Sequence, residues 1–193
     1  VGSTFEGNKA GIGGAIYNAG EVKIGGEIDG DEYDVNFSGN VANGAENADG
    51  GAIYSVGTLD VYSAKFTSNQ AGGLGGAIYD AGALNIFGAA FVGNGATLGG
   101  AIYAENQFTA NRLAAAQNKA SRDGAAIYAA NGIVISNSVL AKNIATGEGG
   151  AAFLAGTSSF VNVTIADNVA ADGAGLFNTG DSTLDNTIVA YNQ

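Results

Sequence analysis

The chain has 193 residues, 33 of them glycine, and lacks Pro, Cys, Met, Trp and His. A glycine-rich chain without Pro or a G-X-Y period is not collagen, and 46% apolar content with sparse charge is not the composition of a disordered chain. The net charge of −11 disfavours nucleic acid and anionic membrane surfaces as partners, and no apolar run approaches the roughly 18 residues that a membrane-spanning helix needs.

The first element in chain order is Phe5-Glu-Gly-Asn8, an apolar residue followed three positions later by Asn. Gly13-Gly14-Ala15-Ile16-Tyr17 comes next, then Val22 and Ile24 in a period-two alternation that reads as strand rather than helix. An irregular acidic stretch over about 25–36 holds Glu27, Asp29, Asp31, Glu32 and Asp34, and it places eight extra residues between Tyr17 and Asn40 compared with the later repeats.

From there the three elements return in order. The apolar/Asn pair recurs as Phe37/Asn40, Phe66/Asn69, Phe91/Asn94, Leu140/Asn143, Ile165/Asn168 and Val189/Asn192, and Ala115/Asn118 keeps the Asn but loses the bulk. The glycine motif recurs as 50–54, 75–79, 99–103, 124–128, 149–153 and 173–177. Its aromatic residues are Tyr17, Tyr54, Tyr79, Tyr103, Tyr128, Phe153 and Phe177, spaced 37, 25, 24, 25, 25 and 24 residues apart. Alternating strands return at Leu59/Val61, Leu84/Ile86 and Ile133/Ile135.

Three short strands in 24–25 residues, separated by Gly and Asn corners, predict a single right-handed parallel β-helix over 1–193 with about eight rungs. One rung cannot fold alone, because ordering its backbone costs roughly 1–2 kcal/mol per residue and each inward side chain returns only about 1.5–3 kcal/mol. Stacking pairs every strand above and below at about 4.8 Å and sets like side chains on like.

That stacking assigns roles. Asn8, Asn40, Asn69, Asn94, Asn118, Asn143, Asn168 and Asn192 are expected to form a structural amide ladder rather than a site, since every repeat has one. The first Gly of the motif is the same in all seven copies, which implies positive φ or no room for Cβ, whereas Ala125 and Ala174 show that the second position is merely cramped. Ile16 and Phe5 and their equivalents should point inward. Tyr17 and its equivalents have the opposite parity and should face outward, either as rings that stack and cover backbone or as a lateral docking stripe.

GGA[ILV] paired with FxxN, as in Gly14-Ala15-Ile16 and Phe5-Glu-Gly-Asn8, resembles the repeat of the chlamydial polymorphic outer-membrane proteins, and these copies cover essentially the whole chain. The resemblance implies a β-helical passenger domain that acts in adhesion or as surface structure, at the bacterial cell surface or outside the cell. The chain departs from that family in having no Cys and no membrane-barrel segment after the repeats.

Polysaccharide lyases and hydrolases also use β-helices, so catalytic residues have to be sought. There is no His, no Cys and no adjacent Asp-Asp pair, and Arg112 and Arg122, the only arginines, lie near no acidic cluster. Arg122-Asp123 reads as a local surface pair. No catalytic residue and no cofactor is expected. The nearest approach to a metal site is Asp29, Asp31 and Asp34, oxygen ligands suited to Ca²⁺, although their spacing does not match an EF-hand and a solvated acidic loop is the preferred reading.

The chain starts at one FxxN strand and stops after another, shows no capping segment and lacks an initiator Met. Uncapped rungs expose strand edges. They are expected to stack head to tail with another copy, giving a filament, or else to mark a fragment excised from a larger passenger domain. The function expected is therefore a non-enzymatic extracellular structural or adhesive β-helix whose partners are itself and a cell-surface glycan or protein. The alternative is a carbohydrate-binding or polysaccharide-cleaving β-helix.

Overall fold

A computed structural model describes residues 2–28, 31–45 and 47–193, with side chains at 27–28 and 31–33 left undescribed. Among these residues there is no helix, and every strand pairing but one is parallel. The chain is a β-solenoid with four sides.

The first side is an eight-stranded sheet built from the FxxN segments, from Ser3–Glu6 to Ile188–Ala190. The second is a six-stranded sheet of two-residue strands just after each Asn, from Lys9–Ala10 to Ile144–Ala145. The third has seven strands carrying the Ile-aromatic pair, Ile16–Asn18 to Leu176–Asn178. The fourth has seven alternating strands, Glu21–Ile24 to Ser182–Asp185. A full turn thus carries four strands rather than three. The second strand escaped the sequence pattern because two residues are too short to display a period. Six turns carry all four strands, fewer than the eight rungs counted from the Asn residues. The seventh has a single bridge, Ile144↔Val169, in place of its second strand, and the eighth contributes only Ile188–Ala190.

Register matches like with like. Phe37 faces Phe5 and Phe66 in the first sheet, and Tyr79 faces Tyr54 and Tyr103 in the third. The core follows from this. Phe5, Phe37, Phe66 and Phe91 stack with ring centroids 4.6–4.7 Å apart and planes within 5°. The file then passes through Ala115, Leu140 and Ile165, all buried. Where Ala115 lacks bulk, other buried positions of the same core are large: Leu113, where the two preceding turns have Ala64 and Ala89, and Phe108 on the fourth sheet.

The first motif Gly is left-handed in all seven copies, with φ from 56° to 70°. A Cβ at Gly50 would also strike the Ile53 carbonyl oxygen. Both conditions select glycine there.

Two departures interrupt the coil. The acidic insertion contains a short antiparallel pair, Gly26–Ile28 with Asp31–Tyr33, whereas Val35 and Asn36 already belong to the first-sheet strand Val35–Ser38. A second departure lies between Asn40 and Gly50, ten residues apart where other turns use five or six. This longer corner folds over the next turn, with the Ala48 carbonyl accepting from the Gly73 N–H at 3.0 Å.

Candidate functional site

The asparagines form one continuous file. From Asn40 to Asn192, each Oδ1 accepts the backbone N–H (2.9–3.1 Å) and the Nδ2 (2.8–3.0 Å) of the Asn one turn earlier, beginning with Asn8. Each Nδ2 also donates to the carbonyl of the inward residue of the preceding turn, from Asn40 on Phe5 to Asn192 on Ile165, at 2.9–3.1 Å. Asn40, Asn69, Asn94, Asn118, Asn143 and Asn168 are wholly buried. With both amide hydrogens and the oxygen occupied, these side chains have no capacity left for a ligand. The residue before each Asn adopts positive φ, including the non-glycines Ser68, Gln117, Lys142, Asp167 and Tyr191. Gly7, Gly39 and Gly93 at this position hint at it, but the other five residues share no chemistry that would extend the hint.

The aromatic residues form a second file, on the third sheet. Tyr17, Tyr54, Tyr79, Tyr103, Tyr128, Phe153 and Phe177 stack with centroids 4.5–5.6 Å apart and planes within 18°. Tyr17 is exposed, whereas Tyr79 is only 6% exposed, so the file is not a uniform surface stripe. The Tyr79 hydroxyl donates to Glu105 Oε1 at 2.5 Å. Burial, above all, raises the hydroxyl pKa of Tyr54, Tyr79, Tyr103 and Tyr128 from the usual phenol value. These phenols are neutral at ordinary pH and provide no nucleophile.

Of the acidic candidates, Asp29 lies outside the described residues, as does the side chain of Asp31, and Asp34 is exposed. Among the described residues, no three His, Cys, Asp or Glu side chains come together to hold a metal ion. Arg122 and Asp123 form an ion pair at 3.7 Å, with Arg122 largely exposed.

The sequence reading passed over two buried carboxylates. Asp49 is 7% exposed, and its Oδ1 accepts the Leu74 N–H at 2.7 Å. Burial raises its pKa, the Leu74 N–H lowers it, and Glu105 raises it. Asp80 is 1% exposed. Parity alone could have placed it, because it is two residues beyond the inward Ile78.

The outer face of the fourth sheet carries a shallow groove lined by Tyr62, Asn85, Phe87, Thr109, Asn111 and Val134. Asn85 Nδ2 donates to Asp60 Oδ1 and Thr109 Oγ1 to Asn85 Oδ1, both at 2.9 Å, and Asn111 Nδ2 donates to Ser136 Oγ at 2.6 Å. Two aromatic faces beside rows of amide and hydroxyl groups give this side mixed stacking and hydrogen-bonding character. Lys23 and Arg112 flank it, over the rings of Tyr62 and Phe87.

Residues 2–19, 34–56 and 63–81 match the family profile of the Chlamydia polymorphic membrane protein (Chlamydia_PMP) repeat. Over these three stretches the chain carries repeats of that type. Each matched stretch is one FxxN segment with the glycine motif that follows it, and turns beyond residue 81 repeat the same sheets in register. No curated protein and no solved structure gives a significant match. A repeat of this family on a parallel solenoid fits a surface β-helix.

Proposed function

We propose that this chain is a non-enzymatic structural or adhesive β-helix displayed outside the cell or on a bacterial cell surface. The observation that carries the reading is the Chlamydia polymorphic membrane protein repeat laid over an unbroken inner ladder. The asparagines that recur in every repeat are consumed in holding the coil together, which leaves the outer faces to carry any binding. The test is immunogold labelling and protease shaving of intact source cells. Label on the cell exterior that shaving removes supports the reading, and a protein reached only after lysis overturns it.

The narrower form of the proposal is self-assembly. Leu184, Ile188 and Val189 in the last described turns are 44–60% exposed, and Ser3–Glu6 and Ile188–Ala190 are edge strands of the same sheet. A second copy stacked in register would cover these residues and extend all four sheets, making an open filament. Further turns of a longer chain would cover them equally well. Negative-stain imaging and sedimentation on dilution separate the two: fibres that Ile188→Lys dissolves support stacking, and a monomer at every concentration rules it out.

A second reading is favoured by the fourth-sheet groove. Aromatic faces with neighbouring amides and hydroxyls suit a glycan, whose rings stack on Phe87 and whose hydroxyls pair with Asn85, Thr109 and Asn111. A glycan array with wild type and Phe87→Ala, together with a lyase and hydrolase assay, distinguishes binding from cleavage. Signal lost in the variant without turnover supports a binding face. Product formation refutes the non-enzymatic reading.

A further inference from the structure

The third residue of each of the first six third-sheet strands points inward, and its chemistry changes abruptly along the stack. Asn18, Ser55 and Asp80 are polar, and Ala104, Ala129 and Leu154 are apolar. Asn18 Nδ2 donates to Ser55 Oγ at 3.1 Å, and Asn18 Oδ1 accepts the Gly20 N–H at 3.0 Å. Asp80 ends this polar file. Ser55 lies on one side of it and the methyl of Ala104 on the other, so its Oδ1 is buried without a hydrogen-bond partner.

The groups around Asp80 compound the problem. The preceding strand brings Ser55 and Tyr54, and its own strand brings Tyr79. The following strand brings Tyr103 and Ala104 and runs on into Glu105, whose N–H donates to the Asp80 carbonyl at 2.8 Å. The fourth-sheet strand Ala83–Phe87 contributes no titratable group, and Thr58–Tyr62 contributes Asp60 and Tyr62 on its outer face. Asp49, on the longer corner, is a further acid that feels the charge of Glu105. Every ionisable group in this set is acidic, so nothing in it compensates a second buried negative charge.

We propose that Asp80 is a proton-operated joint, which tightens the stack between the third and fourth turns when protonated and loosens it when ionised. The neutral acid supplies a donor in place of a charge and removes the repulsion from Glu105. The ionised form must draw in water or open the contact with Ala104. Burial is the main cause of the upward shift of the Asp80 carboxyl to about 6, with the Ser55 hydroxyl and the Gly82 N–H lowering it and Glu105 raising it.

The direction follows from linkage. A carboxyl that holds its proton more tightly folded than unfolded stabilises the fold fully below its unfolded value of 3.8, and that stability is lost as pH rises through about 6. The joint is therefore firm in mild acid and slack at neutral pH.

The experiment has two arms on the full chain. Urea unfolding of wild type and Asp80→Asn between about pH 4 and pH 7.5 should show their unfolding constants diverging on the order of 100-fold as pH rises, with the variant gaining relative stability at the alkaline end. Asp49→Asn serves as the control and should leave most of that divergence in place. Parallel pH profiles for wild type and Asp80→Asn overturn the proposal. Should Asp80→Asn fail to fold, carbon-13 NMR titration of the Asp80 carboxyl in wild type decides alone: a midpoint near 6 supports the joint, and one at or below about 4 overturns it.

Discussion

Two files of stacked aromatic rings run along this molecule, one inside the coil and one outside, and they behave differently. The inner file is the tighter, with spacings of 4.6–4.7 Å and planes within 5°, yet it ends at Phe91 and continues as Ala115, Leu140 and Ile165. The outer file is looser, at 4.5–5.6 Å and up to 18°, yet it continues through all seven copies of the glycine motif. The interior is shared by four sheets, so bulk absent at one position can be matched by larger residues at others, as Phe108 and Leu113 stand near Ala115 in the chain. An outer ring has neighbours mainly above and below, and nothing from another sheet can take its place. Its hydroxyl is dispensable, since Tyr128 and Phe153 make the closest outer stack at 4.5 Å.

The comparison can be broken most severely from within. Phe66→Ala should destabilise the chain by about 3–5 kcal/mol in urea unfolding, because its cavity lies between two rigid stacked rings. Asn94→Ala should cost roughly 2–4 kcal/mol, since it strands the buried Asn69 N–H and the Phe66 carbonyl together. A loss below about 1 kcal/mol for Asn94→Ala would show the amide ladder to be incidental to the coil.

The sharing idea has its own test. Ala115→Phe should overpack the fifth turn and cost about 1–3 kcal/mol, and adding Leu113→Ala should restore most of it. Strict additivity in that double-mutant cycle would mean that the two positions do not exchange volume. Outside the coil the effects shrink. Tyr103→Ala should cost about 1–2 kcal/mol through two lost ring stacks, whereas Tyr103→Phe should stay within about 0.5 kcal/mol. A large effect of Tyr103→Phe would return the hydroxyls to consideration as functional groups.

Much of the fold was legible because a solenoid converts sequence period into vertical contact. A residue 24 or 25 positions later is the residue above, so the repeated Asn and the repeated Phe announce neighbours that no other fold would bring together. The motif Gly was legible for the same reason, seven copies having sampled one backbone position. Less visible was the longer corner between Asn40 and Gly50. Its extra residues are countable in the sequence, but the acidic insertion in the same 37-residue interval masks them.

The sequence by itself determined the period, the sidedness of each strand and the residues of both ladders, because these depend only on spacing and on the alternation of a strand. The tertiary structure alone decided how the interior volume is divided among four sheets, that Tyr79 is covered while Tyr17 is open, and that Asp80 is left with one oxygen unpaired. Those outcomes depend on what lies beside a residue in neighbouring sides and turns. A stacked coil fixes vertical neighbours by repetition, but its lateral neighbours are set only when the sides close around a common core.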